Sequence, residues 1–215
     1  EDLKNQYRQI LQAYVCFRDL DNANVRELKE LKRHSLLALT SEVKYKGRYA
    51  RAAAEILSDI ADPAATPYLI QGLGLNGDDA NIQSINALRR IKDPRAIQPL
   101  INTLKSYDFE VQAHAAVALG ELKAKEAVDP LIEVLKRSKG KDYSRYTYHI
   151  VFRPIAWVLG ELGDPKAIPT LIDLFEYNGL EEHIVFEAAQ LAIRKLYKKM
   201  TKQQKDDYAL RVLVM

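Results

Sequence analysis

Several groups of residues in this chain have the types and spacing for chemistry. Gly72-Leu-Gly-Leu-Asn-Gly77 is a literal GxGxxG, the pattern that cradles a dinucleotide pyrophosphate. That use requires a strand before the glycines and a βαβ unit around them. A helical pattern containing Leu69 and Ile70 precedes them instead, so these glycines read as the end of a helix and a turn. Asp62, Asp93 and Asp164 might pass for catalytic carboxylates, but each stands directly before a proline. There an aspartate accepts hydrogen bonds from exposed backbone N–H groups, which makes the three turn and cap residues. Cys16 has no base near it in sequence and reads as a small helix filler. His34, His114, His149 and His183 are scattered over separate elements. No GxSxG, HExxH, P-loop or Cys-His arrangement occurs, and the reading is of a protein that is not an enzyme and needs neither cofactor nor metal.

The remaining constellation is KRSKGKDYSRYTYHIVFRPIAW, from Lys136 to Trp157. Its candidate partner-binding residues are Arg137, Lys139, Lys141, Tyr143, Arg145, Tyr146, Tyr148, Phe152 and Trp157. Tyr, Trp and Arg supply rigid contact area and hydrogen bonds at interfaces. The competing reading is a solvated loop whose aromatics patch a gap in the core.

The elements that must position these residues follow a repeat. Phe109 to Ser138 reads as two short antiparallel helices, with Ala115, Leu119 and Leu122 on one face of the first and Val128, Leu131, Ile132 and Leu135 on the second. Leu69, Leu100 and Leu131 lie 31 residues apart, and Leu171 follows after 40. Leu57/Ile60, Leu88/Ile91, Leu119/Leu122, Leu159/Leu162 and Ile193/Leu196 occupy one pair of positions in the first helices. So small a helix pair buries its apolar face only against neighbouring copies. Nine extra residues therefore enter between Lys136 and Trp157, where insertions into helical arrays tend to map to a binding surface. Pro154 falls inside the expected helix and predicts a shifted or kinked start. Trp157 aligns with Glu55, Asn86 and Val117, a position that need not be core.

Segments such as AAVALGELKAKEAVDPLIEVL and IAWVLGELGDPKAIPTLIDLF resemble HEAT-like repeats of the short kind found in phycobilisome bilin lyases and many unrelated bacterial proteins. The resemblance covers residues 47 to about 200. It implies an all-α fold, a right-handed α-solenoid (superhelix) of about five helical-hairpin repeats whose second helices line a concave binding face. HEAT-like deoxyhypusine hydroxylases carry His-Glu pairs for two irons; this chain has no His-Glu dipeptide, and Ala115 follows His114. The expected organisation is an N-terminal helical cap over 1–46, repeats over 47–200 and a C-terminal capping helix over 201–215. Thr201 with Gln204 matches a capping box at the start of that last helix.

Composition sets wide bounds. Hydrophobic residues make up 47% and charged residues 28% of 215, ordinary for a soluble helical protein. A single cysteine excludes an internal disulfide, and a cytoplasmic setting is the expectation. No apolar run approaches the roughly 18 residues of a membrane span. The chain opens at Glu1 rather than methionine, as when a leader or neighbouring domain has been trimmed, and its apolar ending, Leu210 to Met215, leaves room for further repeats. Net charge is +3, but Arg194 to Lys205 holds six basic residues and no acid. The expected function is a non-catalytic scaffold or adaptor for a protein partner, acting through the concave face and the 136–157 insertion, with no membrane role. Nucleic-acid binding is the alternative from the basic segments, and a bilin lyase-like role in chromophore attachment is implied by the resemblance.

Overall fold

The computed structural model describes residues 50–74, 78–137, 147–177 and 183–206. The N-terminal helices expected over 1–46, Cys16 and His34 lie outside the described residues, as does the chain beyond residue 206. The described residues include nine α-helices: α1 (Ala50–Ile60), α2 (Thr66–Gly72), α3 (Asp78–Ile91), α4 (Ile97–Thr103), α5 (Phe109–Glu121), α6 (Val128–Arg137), α7 (Arg153–Leu162), α8 (Ile168–Tyr177) and α9 (His183–Lys199). No strand occurs among the described residues, and the fold is the all-α helical-repeat class of α-solenoids.

The helices end where the sequence makes them end. Ala61, Lys92, Lys123 and Gly163 hold the same place in successive repeats, and all four adopt positive φ, between 52° and 81°. Ala61, Lys92 and Gly163 each donate the backbone N–H to a carbonyl four residues back, closing the helix with a left-handed residue. At three of the next positions an aspartate turns extended, as a residue before proline must. Its Oδ1 accepts from the N–H two residues on, at 2.9 Å for Asp62 and Asp93 and 3.0 Å for Asp164. Each Asp-Pro pair thus starts a single 3₁₀ turn that reverses the chain into the second helix. Ala124 takes the aspartate's place in the repeat begun by α5, without a side-chain cap and buried.

Only one of the four left-handed positions is glycine. A side chain in that conformation costs about 1–2 kcal/mol, against about 0.5–1 kcal/mol for the extra freedom glycine loses on folding. Lys92→Gly, at an exposed site, is therefore expected to raise the unfolding free energy by about 0.5–1 kcal/mol in urea titration, and an unchanged midpoint would contradict this.

The chain divides after Leu122 into two compact units. In the first, α1 packs on α3 and α3 on α5, while α2 and α4 pack against the first helices that follow them. Its core includes Leu57, Leu69, Leu88, Leu100 and Leu119, all fully buried. Ala53, Ala54, Ala115 and Ala116 are also fully buried, and these small residues let the helices approach. Arg90 reaches back one repeat to Asp59 at 2.8 Å, and Arg95 donates to the Pro63 carbonyl at 3.3 Å. The Arg95 guanidinium also pairs with Asp93 and holds that carboxyl down to about 2.

The second unit is built on α7, which packs broadly against α9, with α6 and α8 beside them. Leu131, Leu159 and Leu171 are fully buried. Ile60, Ile91, Leu122 and Leu162, read from sequence as core partners, are only half-buried at their helix ends. Lys166 binds Asp129 of the preceding repeat at 2.9 Å, and Lys195 pairs with Glu161. Solvent and salt screen such exposed pairs, so the apolar core rather than these pairs holds the repeats together. At the far end the capping box forms as read: the Thr201 N–H donates to Gln204 Oε1 at 2.9 Å, and the Gln204 N–H to Thr201 Oγ1 at 3.3 Å.

Candidate functional site

The start of α7 departs from the repeat in the way its proline demands. Tyr148–Phe152 forms a π-helical stretch that runs straight into α7, placing Pro154 in the first turn. A π-turn carries more residues than an α-turn, so a side chain or a missing N–H can be absorbed there without ending the helix. The change in register shows in burial. Val151 and Phe152 are consecutive buried residues, and Arg153 is exposed where the equivalent Ala113 of α5 is buried.

From Ile155 onward α7 returns to the standard pattern, burying Ile155, Ala156, Val158, Leu159 and Gly160. Trp157, on the opposite face, is left 45% exposed. Three residues on, α7 and α9 meet almost backbone to backbone. A Cβ built on Gly160 would lie 2.8 Å from the Ala192 Cα and 2.9 Å from its Cβ. Towards the N-terminal halves of both helices lies a cleft of about 390 Å³. His149, Arg153, Pro154 and Trp157 form one wall; Glu187, Ala188 and Leu191 form the other. Leu191 is 56% exposed.

The cleft therefore has an apolar floor, from the proline, the indole, the alanine and the leucine, with an arginine and a glutamate on opposite walls. Neither Arg153 nor Glu187 forms an ion pair among the described residues. On α7, one turn beyond Trp157, Glu161 is engaged by Lys195 of α9. Burying an aromatic and a leucine against an incoming side chain is what such a surface can do; nothing in it assembles a nucleophile with a base.

Of the residues nominated from sequence, the structure brings Trp157 into this cleft. Arg137 ends α6, exposed, its Nε 3.4 Å from the Glu133 carbonyl. Lys139, Lys141, Tyr143, Arg145 and Tyr146 lie outside the described residues, and Tyr148 is described only in its backbone. Phe152, read as a contact residue, is 3% exposed and belongs to the core, because the π-turn rotates it inward. Arg153, Glu187, Ala188 and Leu191 line the cleft without a mark in the repeat pattern that singles them out. The available signal was Leu191 itself, an aliphatic residue off the α9 face that carries Val185, Ala189, Ala192 and Leu196.

The other candidates fall to structure rather than chemistry. Gly72 ends α2 and Gly74 has φ +75°, while residues 75–77 lie outside the described residues. His149 lines the cleft and His183 begins α9. His114 Nδ1 sits 3.2 Å from Asn86 Oδ1, an acceptor that suits a protonated Nδ1. Burial pushes its pKa down, aided by Arg89 and opposed by Glu110. With the folded-state value lowered, stability from His114 is complete above the unfolded value of about 6.5 and is lost as pH falls through the folded one. Wild-type stability should decline as pH falls from about 6.5 towards the lowered folded-state value, and His114→Gln should flatten this limb in urea titrations at stepped pH. Among the described residues no three His, Cys, Asp or Glu side chains converge to hold a metal. No described helix is long and apolar enough to cross a membrane.

The comparisons agree with this architecture. The family model described as HEAT repeats matches residues 76–146, and the PBS lyase HEAT-like repeat matches residues 50–74 and 155–177. No curated protein is similar enough to count as a match. Among solved structures, the chain is similar to one in the complex of CpcE and CpcF of phycocyanin lyase from Nostoc sp. PCC7120. The two share 22% sequence identity and superpose with a TM-score of 0.59, over 84% of this chain and 70% of that one. The spacing of the buried leucines, the Asp-Pro turns and both family models lead to one statement: the chain belongs to the HEAT-like repeat proteins.

Proposed function

We propose that this chain is a non-catalytic protein-binding module that holds its partner at the cleft between α7 and α9. The observation that carries the reading is Trp157, a large aromatic left nearly half exposed beside an exposed Leu191. Tryptophan anchors seated in partly enclosed apolar pockets dominate many interfaces. The similar fold in the phycocyanin lyase structure comes from a complex of two proteins, which supports partner binding as a use of this architecture.

A photo-crosslinking residue at position 157, irradiated in native lysate, should give protein adducts, whereas the same residue at exposed Glu133 should give none. Equal or absent labelling at the two sites would defeat the proposal. Trp157→Ala should weaken capture of the crosslinked partner at least tenfold, about 1.4 kcal/mol, with an unchanged melting curve.

A second reading is favoured by the PBS lyase HEAT-like matches at 50–74 and 155–177: a role in attaching a bilin to a phycobiliprotein. Mixing the purified chain with a bilin and recording absorbance tests its binding step. A shifted, saturable spectrum supports it, and an unaltered one removes it.

A further inference from the structure

The wall of the cleft contributed by α9 continues beyond it. Glu187, Leu191, Arg194 and Lys198 stand at i, i+4, i+7 and i+11, so they form one stripe along the helix, and all four are exposed. Lys195, beside the stripe, is held by Glu161, and Lys205 lies over the Tyr197 ring at 5.3 Å. Arg194 and Lys198 make no ion pair among the described residues, and neither does Arg153 on the facing wall. An apolar cleft is thus flanked by cations on both walls, with Glu187 the lone carboxylate lining it among the described residues.

We infer that the cleft and this basic stripe form one docking surface for an acidic protein segment whose bulky apolar side chain fills the cleft. The inference rests on the protein-binding reading and adds the partner's chemistry. The cleft volume of about 390 Å³ falls at the small end of pockets that bury a ligand, enough for one large anchoring side chain and its neighbours. Lys198 lies seven residues beyond Leu191, about 10 Å along the axis at 1.5 Å per residue. Carboxylates of the partner are therefore placed about 10 Å from its anchor, roughly two helical turns or three extended residues away. Charge complementarity over that distance speeds encounter and rejects basic segments. Nucleic acid fits less well: Glu187 at the cleft repels phosphate, and among the described lining residues the Trp157 indole and the His149 ring stand beside proline, alanine and leucine rather than in a series for stacking.

Selection of a displayed random 16-residue peptide library on the full chain tests this, with the Arg194→Glu/Lys198→Glu double variant as the comparison. The expected pool carries a Trp, Phe or Leu anchor with Asp or Glu at that spacing and loses at least tenfold in affinity for the double variant. Binding should weaken with added salt. Trp157→Ala, which leaves the charges in place, should abolish enrichment. Both substitutions are at exposed positions, and melting curves confirm folding. Neutral or basic enriched peptides, equal pools on the two proteins, no enrichment, or displacement of the peptides by a 16-residue single-stranded DNA would each overturn the acidic-segment inference. Protein adducts from position 157 would still form in the first two cases, so the failure of this inference is distinguishable from failure of the protein-binding reading.

Discussion

Leu131→Ala is expected to lower the unfolding free energy by about 2–5 kcal/mol, read from the midpoint of a urea titration at constant slope. Leu131 is fully buried in α6, on the face it shares with Val128 and Leu135. Truncation removes three carbons from contact and leaves a cavity, and both terms count because neighbouring helices relax only partly. The repeat supplies an internal standard. Leu69, Leu100 and Leu171 stand at the same position and are equally buried, so their alanine variants should fall in the same range. Glu133, two residues on and exposed, should change stability by less than about 0.5 kcal/mol. A loss under 1 kcal/mol at Leu131 would show that this position does not carry the core.

Leu131 also belongs to the part of the fold that is legible in the sequence. The 31-residue spacing makes Leu57, Leu88 and Leu119 equivalent, and likewise Leu69, Leu100 and Leu131; all six are fully buried, since a repeating chain repeats its environments. Asp62, Asp93 and Asp164 are legible as caps because proline fixes what the preceding residue can do. The left-handed residues are harder to see: with Ala61, Lys92 and Lys123 in three of four places, the usual glycine marker is missing. The cleft is legible only on one wall. Trp157 stands out against Glu55, Asn86 and Val117, but its opposite wall comes from α9, and neither the divergence of two helices nor its depth is encoded in periodicity. Phe152 misleads because a π-turn alters the side-chain register while leaving the composition of the segment unchanged. A basic and aromatic run looks the same whether its aromatics face water or core.

Gly160→Val is expected to cost about 1–3 kcal/mol and to weaken binding at the cleft. A Cβ at Gly160 would meet the Ala192 backbone at 2.8 Å, and a rigid main-chain atom cannot swing aside as a flexible side-chain end can. α7 and α9 must therefore separate at their point of closest approach, with loss of contact among Ile155, Leu159, Ala189 and Ile193. The better helix propensity of valine over glycine returns only a few tenths of a kcal/mol. Separation here also changes the angle between the walls that carry Trp157 and Leu191, so the selected peptides should lose affinity although no residue that lines the cleft has been replaced. Gly160→Ala separates the steric cause from a general loss of order. Its cost should be smaller, and Ala192→Gly should recover part of it, because removing that methyl relieves the 2.9 Å contact while the 2.8 Å contact to the Ala192 Cα remains. Additive effects of the two substitutions, or full stability of Gly160→Val, would mean that the close crossing does not set the helix separation. Partial rescue of both stability and peptide binding would tie the shape of the cleft to that crossing.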